Sequence, residues 1–166
     1  MIVDDYLTQA NKQCKQSLLL DFSGYIIEFL TNSKLLLDEL TDYYQHFLAA
    51  QKTDPQCIVE GLQSDTPNVV GNWQVKQPDP GKSKIKEHLL ILDNGHAVKK
   101  VLTGVHLIFI GNRRVCIGPL EDNPNQVVNF INNMHLEYCL RFGGQLFHAS
   151  GVCMGENGLG MAGLSG

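Results

Sequence analysis

Apolar runs around a Ser-Gly pair begin the patterned part of the chain. Residues 18–31 read LLLDFSGYIIEFLT, with Ser23-Gly24 between the two runs. Apolar runs of strand length on both sides of a turn pair are typical of a β-hairpin. We therefore predict two antiparallel strands in this segment.

The next segment has the spacing of an amphipathic helix. Its apolar residues recur at intervals of four, three and four, which places them on one face of a helix; they are Leu36, Leu40, Tyr43 and Phe47. Asn32 or Ser33 can cap the first turn, because a side-chain oxygen at that position accepts from a free backbone N–H. We predict a helix over residues 33–49.

Short apolar runs with turn residues between them predict a β-meander over residues 88–118. The runs are HLLIL, HAVKKVL, VHLIFI and RRVCIG. An Asn-Gly pair between apolar runs, as at Asn94-Gly95, is the strongest short hairpin signal. Further strands are predicted at 57–64 and 72–76, and QPDPGKSKIKE, rich in proline and lysine, predicts an exposed connection and an internal boundary.

A second helix is predicted after the meander. Asn123 is a suitable N-cap, and Pro124 suits the first helical position. The apolar stripe of this helix consists of Val127, Ile131, Met134, Tyr138 and Phe142. Gly143-Gly144 is expected to end it, since glycine readily adopts the backbone conformation found after helix ends.

Two more strands are expected at about 146–154 and 159–164, joined by a Glu-Asn-Gly turn. The predicted fold is α+β, a mostly antiparallel sheet with two main helices that leads into the first strands of an α/β domain. We divide the chain into an N-terminal α+β region (1–80), a meander plus helix (81–144) and the opening strands of a further domain (145–166).

Composition excludes several classes of protein. Thirteen basic and seventeen acidic residues give a net charge of −4, which provides no overall attraction for nucleic acid or an anionic membrane. No apolar run reaches the ~20 residues that span a bilayer. The five cysteines are widely separated, which indicates reduced thiols. We expect a cytoplasmic protein that binds neither nucleic acid nor membrane.

Gly81-Lys82-Ser83 imitates the end of a phosphate-binding loop. The full motif requires glycine five residues before the glycine that precedes the lysine, and that position is Lys76. Prolines rather than a strand precede the tripeptide. We reject a phosphate site there.

The C-terminal segment fits such a loop better. Gly163, Leu164, Ser165 and Gly166 follow a predicted strand, and small residues after a strand allow backbone N–H groups to surround phosphate oxygens. They match the first four residues of Gly-x-x-x-x-Gly-Lys-Ser/Thr. Without further context, a glycine-rich hairpin end is the alternative.

Residues 146–166, LFHASGVCMGENGLGMAGLSG, resemble the entry to the kinase domain of the HPr kinase/phosphorylase group and its HPr-kinase-related relatives. There, a strand beginning with Leu-His and a small residue leads through a glycine-rich turn and a second strand to a loop Gly-x-Ser-Gly-x-Gly-Lys-Ser. Phe147 replaces the leucine before histidine here. Residues 1–120 contain no motif of that family.

The resemblance implies ATP-dependent transfer of a phosphoryl group to a serine of a protein partner, with magnesium. It implies that His148 lies near the phosphates, where an imidazole can orient the nucleophile or donate to a phosphate oxygen. The alternative for His148 is a buried imidazole that pairs with a neighbouring carbonyl. An oligomer is compatible with either interpretation.

The loop's second glycine, lysine and hydroxyl are missing from the 166 residues. We therefore expect a catalytically incomplete N-terminal fragment of a P-loop kinase, with no ATP or magnesium bound to the fragment itself. The alternative is a non-catalytic protein- or ligand-binding module.

Other polar residues give weaker signals. His88, His96 and His106 lie on neighbouring predicted strands, and zinc would require them to share one face; half-exposed sheet positions are the preferred interpretation. Arg113-Arg114 beside a turn can contact phosphate, but a solvated turn is the preferred alternative.

Overall fold

The computed structural model describes residues 3–51, 53–78, 80–81, 83–145 and 149–162. These residues form three α-helices: α1 (Val3–Gln13), α2 (Lys34–Tyr43) and α3 (Pro124–Arg141). The first strands are β1 (Gln16–Phe22), β2 (Tyr25–Thr31), β3 (Cys57–Gln63), β4 (Gln74–Val75) and β5 (Glu87–Leu92). The others are β6 (Gly95–Lys100), β7 (His106–Ile110), β8 (Arg113–Gly118), β9 (Ala149–Met154) and β10 (Asn157–Ala162).

One sheet of eight strands organises the chain, in the order β1-β2-β3-β8-β7-β6-β5-β4. Strand β3 pairs in parallel with β2 and with β8, and the other pairs are antiparallel. The fold is therefore α+β with a large, mostly antiparallel sheet, and the predicted meander is confirmed. The predicted boundary connection joins β4 to β5 within this sheet.

The β1–β2 turn shows why the first hairpin forms at this position. Ser23 and Gly24 both have positive φ, 56° and 94°, which is the backbone of the tight turns whose twist matches a hairpin. The side chain of Asp21 accepts a hydrogen bond of 2.6 Å from the Gly24 N–H. The predicted strands at 18–31 are confirmed.

Helices cover both faces of the sheet. Helices α2 and α3 pack on one face, and their buried side chains join those of β1, β2 and β3 in one apolar cluster. The hydroxyl of Tyr44 contacts the carbonyl of Val128 and the amide oxygen of Asn132, at 3.2 and 2.9 Å, and so connects the end of α2 to α3. Helix α1 packs on the opposite face against β3 and β8.

Helix α2 differs from its prediction in length and in its buried face. Ser33 is the N-cap and accepts from the Leu36 N–H at 3.1 Å, as predicted, but the α-helix ends at Tyr43. The buried stripe continues to Tyr44 instead of Tyr43, whose side chain is 60% exposed. A strict spacing of four through Leu36, Leu40 and Tyr44 aligns them along one ridge of the helix.

Helix α1 was not predicted, although the sequence contains its signal. Val3, Tyr6, Leu7 and Ala10 are buried and recur at helical intervals. Asp4 and Asp5 lie in its first turn, where negative charge is favourable near the free N–H groups of the helix dipole. Helix α3 begins after Asn123 as predicted, but the Asn123 side chain makes no capping hydrogen bond and donates to the Pro119 carbonyl instead. Phe142 lies beyond the helix and is 75% exposed.

None of the helices in the described ranges combines the length and the hydropathy needed to cross a bilayer.

Candidate functional site

Strands β9 and β10 form an antiparallel hairpin at the C-terminal end of the described residues. Their register runs from Ala149 opposite Ala162 to Met154 opposite Asn157. The pairing predicted for these two strands is confirmed over residues 149–162. Because β10 is the second strand, it leads directly along the chain to Gly163.

The two faces of this hairpin differ in side-chain size. Period-two alternation places one set of large apolar residues on the same face, and these are Val152, Met154, Leu159 and Met161, each at least 51% exposed. Small residues occupy most of the other face, and they include Gly151, Cys153, Gly158 and Gly160. A two-stranded hairpin is marginally stable alone, and the described side chains of both strands are exposed.

The remaining predicted site residues lie outside the described residues. They are His148, proposed near the phosphates, and the partial phosphate loop of Gly163, Leu164, Ser165 and Gly166. Leu146 and Phe147, which belong to the resembling segment, lie outside them as well. Their roles stay predictions.

The three meander histidines do not share a face. His88 and His106 both pair with Lys99 across β6, whereas His96 is three residues from Lys99 and points to the opposite face. The ring of His96 stacks on Phe109 at 4.6 Å. No group of three potential metal ligands occurs among the described residues.

His106 is buried rather than half-exposed, so its predicted position was wrong. Its side chain is 1% exposed, and its Nδ1 lies 3.0 Å from the Gly104 carbonyl. Burial lowers its pKa to about 4, because an apolar environment disfavours the charged imidazolium. A neutral imidazole in this position contributes to packing against Trp73, whose ring centroid is 5.3 Å away.

A concave feature of the described residues is a cleft at the C-terminal end of α3. We call it the α3 cleft; its volume is about 610 Å³, and it is lined by the starts of β2, β3 and β8 and by residues 134–142. Pockets for small molecules measure about 300–1,000 Å³. A second depression, beside the β5–β6 turn, shares Arg114 and Glu137 with it. The cleft is large enough for a small ligand.

Aromatic rings form one wall of the α3 cleft. Tyr25 and Tyr138 stack with ring centroids 4.0 Å apart and planes 11° apart, and Phe142 lies 4.8 Å from Tyr138. Burial raises the pKa of the Tyr25 phenol and of the neighbouring Cys57 thiol, since both anions are poorly solvated there. Neither group is therefore ionised at neutral pH.

Arg114 provides a cation in the α3 cleft. Its Nη1 donates to the carbonyls of Gly111 and Arg113, at 3.0 and 3.1 Å. The guanidinium lies over the ring of Phe109, 5.7 Å from its centroid, which is a favourable cation–π position. Across the described ranges Arg114 has no ion pair with an acidic residue.

The other charges of the cleft neutralise each other. Arg141 and Glu137 form an ion pair one helical turn apart on α3. Both side chains remain at least 40% exposed, so the pair adds little to stability. Because the Arg141–Glu137 pair has no net charge, Arg114 gives the cleft a net positive charge.

Arg113 is held by hydrogen bonds within the fold and is only partly exposed, so the predicted solvated turn was wrong for this residue. Its guanidinium donates to both carboxylate oxygens of Glu60 at 2.7–3.0 Å and to the Leu7 carbonyl at 2.9 Å. Alternation along β8 then places Arg114 on the opposite face, toward the α3 cleft. The side chains of Arg113 and Arg114 therefore lie on opposite faces of the sheet.

Sequence reasoning missed the α3 cleft because its lining comes from distant segments. Tyr25, Cys57, Arg114 and Tyr138 become neighbours only when β2, β3 and β8 align in parallel and α3 packs across them. The sequence indicates only a turn residue at Arg114 and one position of an apolar stripe at Tyr138. Comparisons with protein-family models, curated proteins and solved structures found no match to this chain.

Proposed function

We propose that this chain is the N-terminal portion of an HPr-kinase-related P-loop kinase, an ATP-dependent protein serine kinase. The observation that supports the proposal best is the β9–β10 hairpin. It has the strand pairing that should precede the loop beginning at Gly163. The resemblance of residues 146–166 supplies the reaction type and the protein substrate.

The exposed apolar face of the hairpin also supports the proposal. Met154 is 82% exposed and Leu159 61%, whereas a strand within a kinase domain would bury such side chains against neighbouring elements. Removing apolar surface from water contributes about 25 cal/mol of favourable free energy per Å². An exposed apolar face of this kind supports a sheet that further strands or helices would complete.

The residues present supply only part of an ATP site. Small residues at Gly163, Ser165 and Gly166 would leave backbone N–H groups accessible to phosphate oxygens. The lysine that contacts the β- and γ-phosphates and the hydroxyl that holds magnesium are absent from the sequence. No transfer step can be assigned to these 166 residues alone.

The coding sequence downstream of Gly166 tests this function directly. We expect it to continue with one residue and then Gly-Lys-Ser or Gly-Lys-Thr. A protein that ends at Gly166, or continues without that tripeptide, contradicts the proposal. In the whole natural protein, Mg-ATP should raise the melting temperature, since a ligand that binds only the native state stabilises it.

The same experiment on the 166-residue chain provides the matched control. We expect Mg-ATP to leave its melting temperature unchanged. A shift of several degrees would show that its nucleotide site is not incomplete. Replacement of His148 by alanine in the whole protein should lower phosphoryl transfer while leaving the nucleotide-dependent shift in place.

A second function, a non-catalytic ligand-binding module, is supported by the α3 cleft. It has the volume of a small-molecule site and unites aromatic side chains with a cation. This function would belong to residues 3–145 and is compatible with a kinase domain that follows them. Binding of a small molecule at Tyr138 and Arg114 would test it.

A further inference from the structure

We propose that the α3 cleft binds a small aromatic carboxylate, with its carboxylate on Arg114 and its ring against Tyr138 and Phe142. This proposal deepens the ligand-binding function and does not depend on the kinase function. The ligand class follows from the three groups that converge there.

The guanidinium of Arg114 has one edge available for a planar anion. An arginine has five N–H donors, and the two hydrogen bonds from Nη1 to the Gly111 and Arg113 carbonyls account for one of its nitrogens. Within the described part of the chain, no hydrogen bond is formed by Nε or Nη2. Those two nitrogens form the fork that a carboxylate accepts with both oxygens.

The orientation of this fork is fixed before a ligand arrives. Two backbone carbonyls hold Nη1, and the guanidinium carbon lies over the Phe109 ring, 5.7 Å from its centroid. A side chain fixed in this way loses less conformational freedom on binding than a solvated arginine. The arrangement therefore favours binding of a carboxylate over non-specific attraction of small anions.

The aromatic side chains of the cleft account for the ring of the proposed ligand. Tyr138 is stacked on Tyr25 and is half-buried, while Phe142 exposes 75% of its surface beside it. A flat ring can remove this surface from water and pack in an offset or edge-to-face arrangement. Aliphatic Ile58, 44% exposed, extends the apolar wall.

The acidic residue of the cleft does not oppose an anion. Glu137 also lines the cleft, but its carboxylate is paired with Arg141. The phenol of Tyr25 and the thiol of Cys57 are uncharged at neutral pH, since burial raises the pKa of each. Arg114 is therefore the charge that an incoming carboxylate meets.

A titration of the ¹⁵N-labelled 166-residue chain at pH 7 tests the proposal. The probes are benzoate, benzyl alcohol as its uncharged counterpart, and inorganic phosphate as an anion without a ring. We expect benzoate to shift the amide signals of Cys57, Arg114 and Tyr138 and to saturate. Benzyl alcohol and phosphate should each bind at least about tenfold more weakly, because each lacks one of the two contacts.

Substitutions distinguish the α3 cleft from any other site for benzoate. Arg114→Gln should weaken binding by about tenfold to a hundredfold, since it removes a charge-assisted hydrogen-bonded pair. Phe142→Ala should weaken it several-fold without loss of folding, because this side chain is largely exposed. Lys34→Gln is the matched control, since it removes an exposed cation that pairs with Asp38 on α2, and it should leave binding unchanged.

Three results would overturn the proposal. Benzoate could leave the cleft amides unshifted, phosphate or benzyl alcohol could bind as tightly as benzoate, or both Arg114→Gln and Phe142→Ala could bind benzoate like the unsubstituted chain. The Phe142→Ala measurement remains decisive if Arg114→Gln does not fold. A negative result leaves the kinase function untouched, because that function depends on the sequence after Gly163.

Discussion

Replacement of Arg113 by methionine would test how much the ion pair between Arg113 and Glu60 stabilises the fold. The substitution keeps an apolar stem of similar length but removes all the hydrogen bonds to Glu60 and the one to the Leu7 carbonyl. The carboxylate of Glu60 would then remain in a place where its side chain is only 10% exposed.

The expected loss follows from this burial. Removing one partner of a buried ion pair costs about 3–5 kcal/mol, because the other charge is left without compensation. Arg113 itself is 37% exposed, so water partly solvates the site, and we reduce the expected loss to about 2–3 kcal/mol. This is large beside the ~5–15 kcal/mol that typically stabilises a domain.

Urea unfolding at pH 7 measures the effect, with the fluorescence of the single tryptophan, Trp73, as the probe. Arg141→Met is the matched control, because it makes the same substitution in an exposed pair one helical turn apart. It should cost only about 0.3–0.5 kcal/mol. The double substitution Glu60→Met with Arg113→Met should recover most of the lost stability, since no uncompensated charge remains.

Equal losses for Arg113→Met and Arg141→Met would refute this reasoning. They would show that the Glu60 pair behaves as a solvated surface pair despite its geometry. Failure of the double substitution to recover stability would instead show that the lost packing, and not the buried charge, determines the cost.

Three further predictions concern the core, a turn and pH. Leu40→Ala should destabilise the protein by about 2–5 kcal/mol in urea unfolding, because this side chain is fully buried. Gly95→Ala should lower the melting temperature, since Gly95 has φ +154° and an added Cβ would lie 1.9 Å from a backbone oxygen. The depressed pKa of His106, about 4, stabilises the native state above pH 6.5. That contribution should be lost as the pH falls from 6.5 toward 4, and His106→Gln should reduce this pH dependence of the unfolding free energy.

Each of these predictions has a control within the chain. Leu102→Ala, at a side chain 97% exposed, should change stability by less than about 0.5 kcal/mol. Gly24→Ala has a positive φ but no atom within 4 Å of the added Cβ, so it should cost less than Gly95→Ala. An unfolding free energy with the same pH dependence in His106→Gln would contradict the assigned role of His106.

Local patterns predicted most of the strands because their signals are short-range. The Ser23-Gly24 turn and the Asp93-Asn94 turn, which Gly95 follows, can be recognised from adjacent residues, since turn geometry restricts which residues fit. Helix α3 was predicted from Pro124 and a stripe of apolar residues. Helix α1 was missed although its spacing is helical, because its apolar residues are few and flanked by charged and polar ones.

The pairing of β3 with both β2 and β8 could not be read from the sequence. Parallel neighbours are brought together by long connections, and the residues of β3 and β8 that pair are 55 positions apart, as Val59 and Arg114 are. Tertiary packing also buries Tyr44 at the end of α2, whereas the spacing predicted a buried Tyr43. These outcomes depend on which faces meet, and spacing alone does not specify that.

The sequence by itself determined the α+β class, the meander and the strands that lead toward Gly163, because each follows from local turn chemistry and apolar periodicity. The tertiary structure decided which side chains share an environment. It separated the meander histidines, paired Arg113 with Glu60 and placed Arg114 beside Tyr138. A cleft requires a defined arrangement of distant segments, and that arrangement arises only when the sheet and α3 bury their apolar faces together.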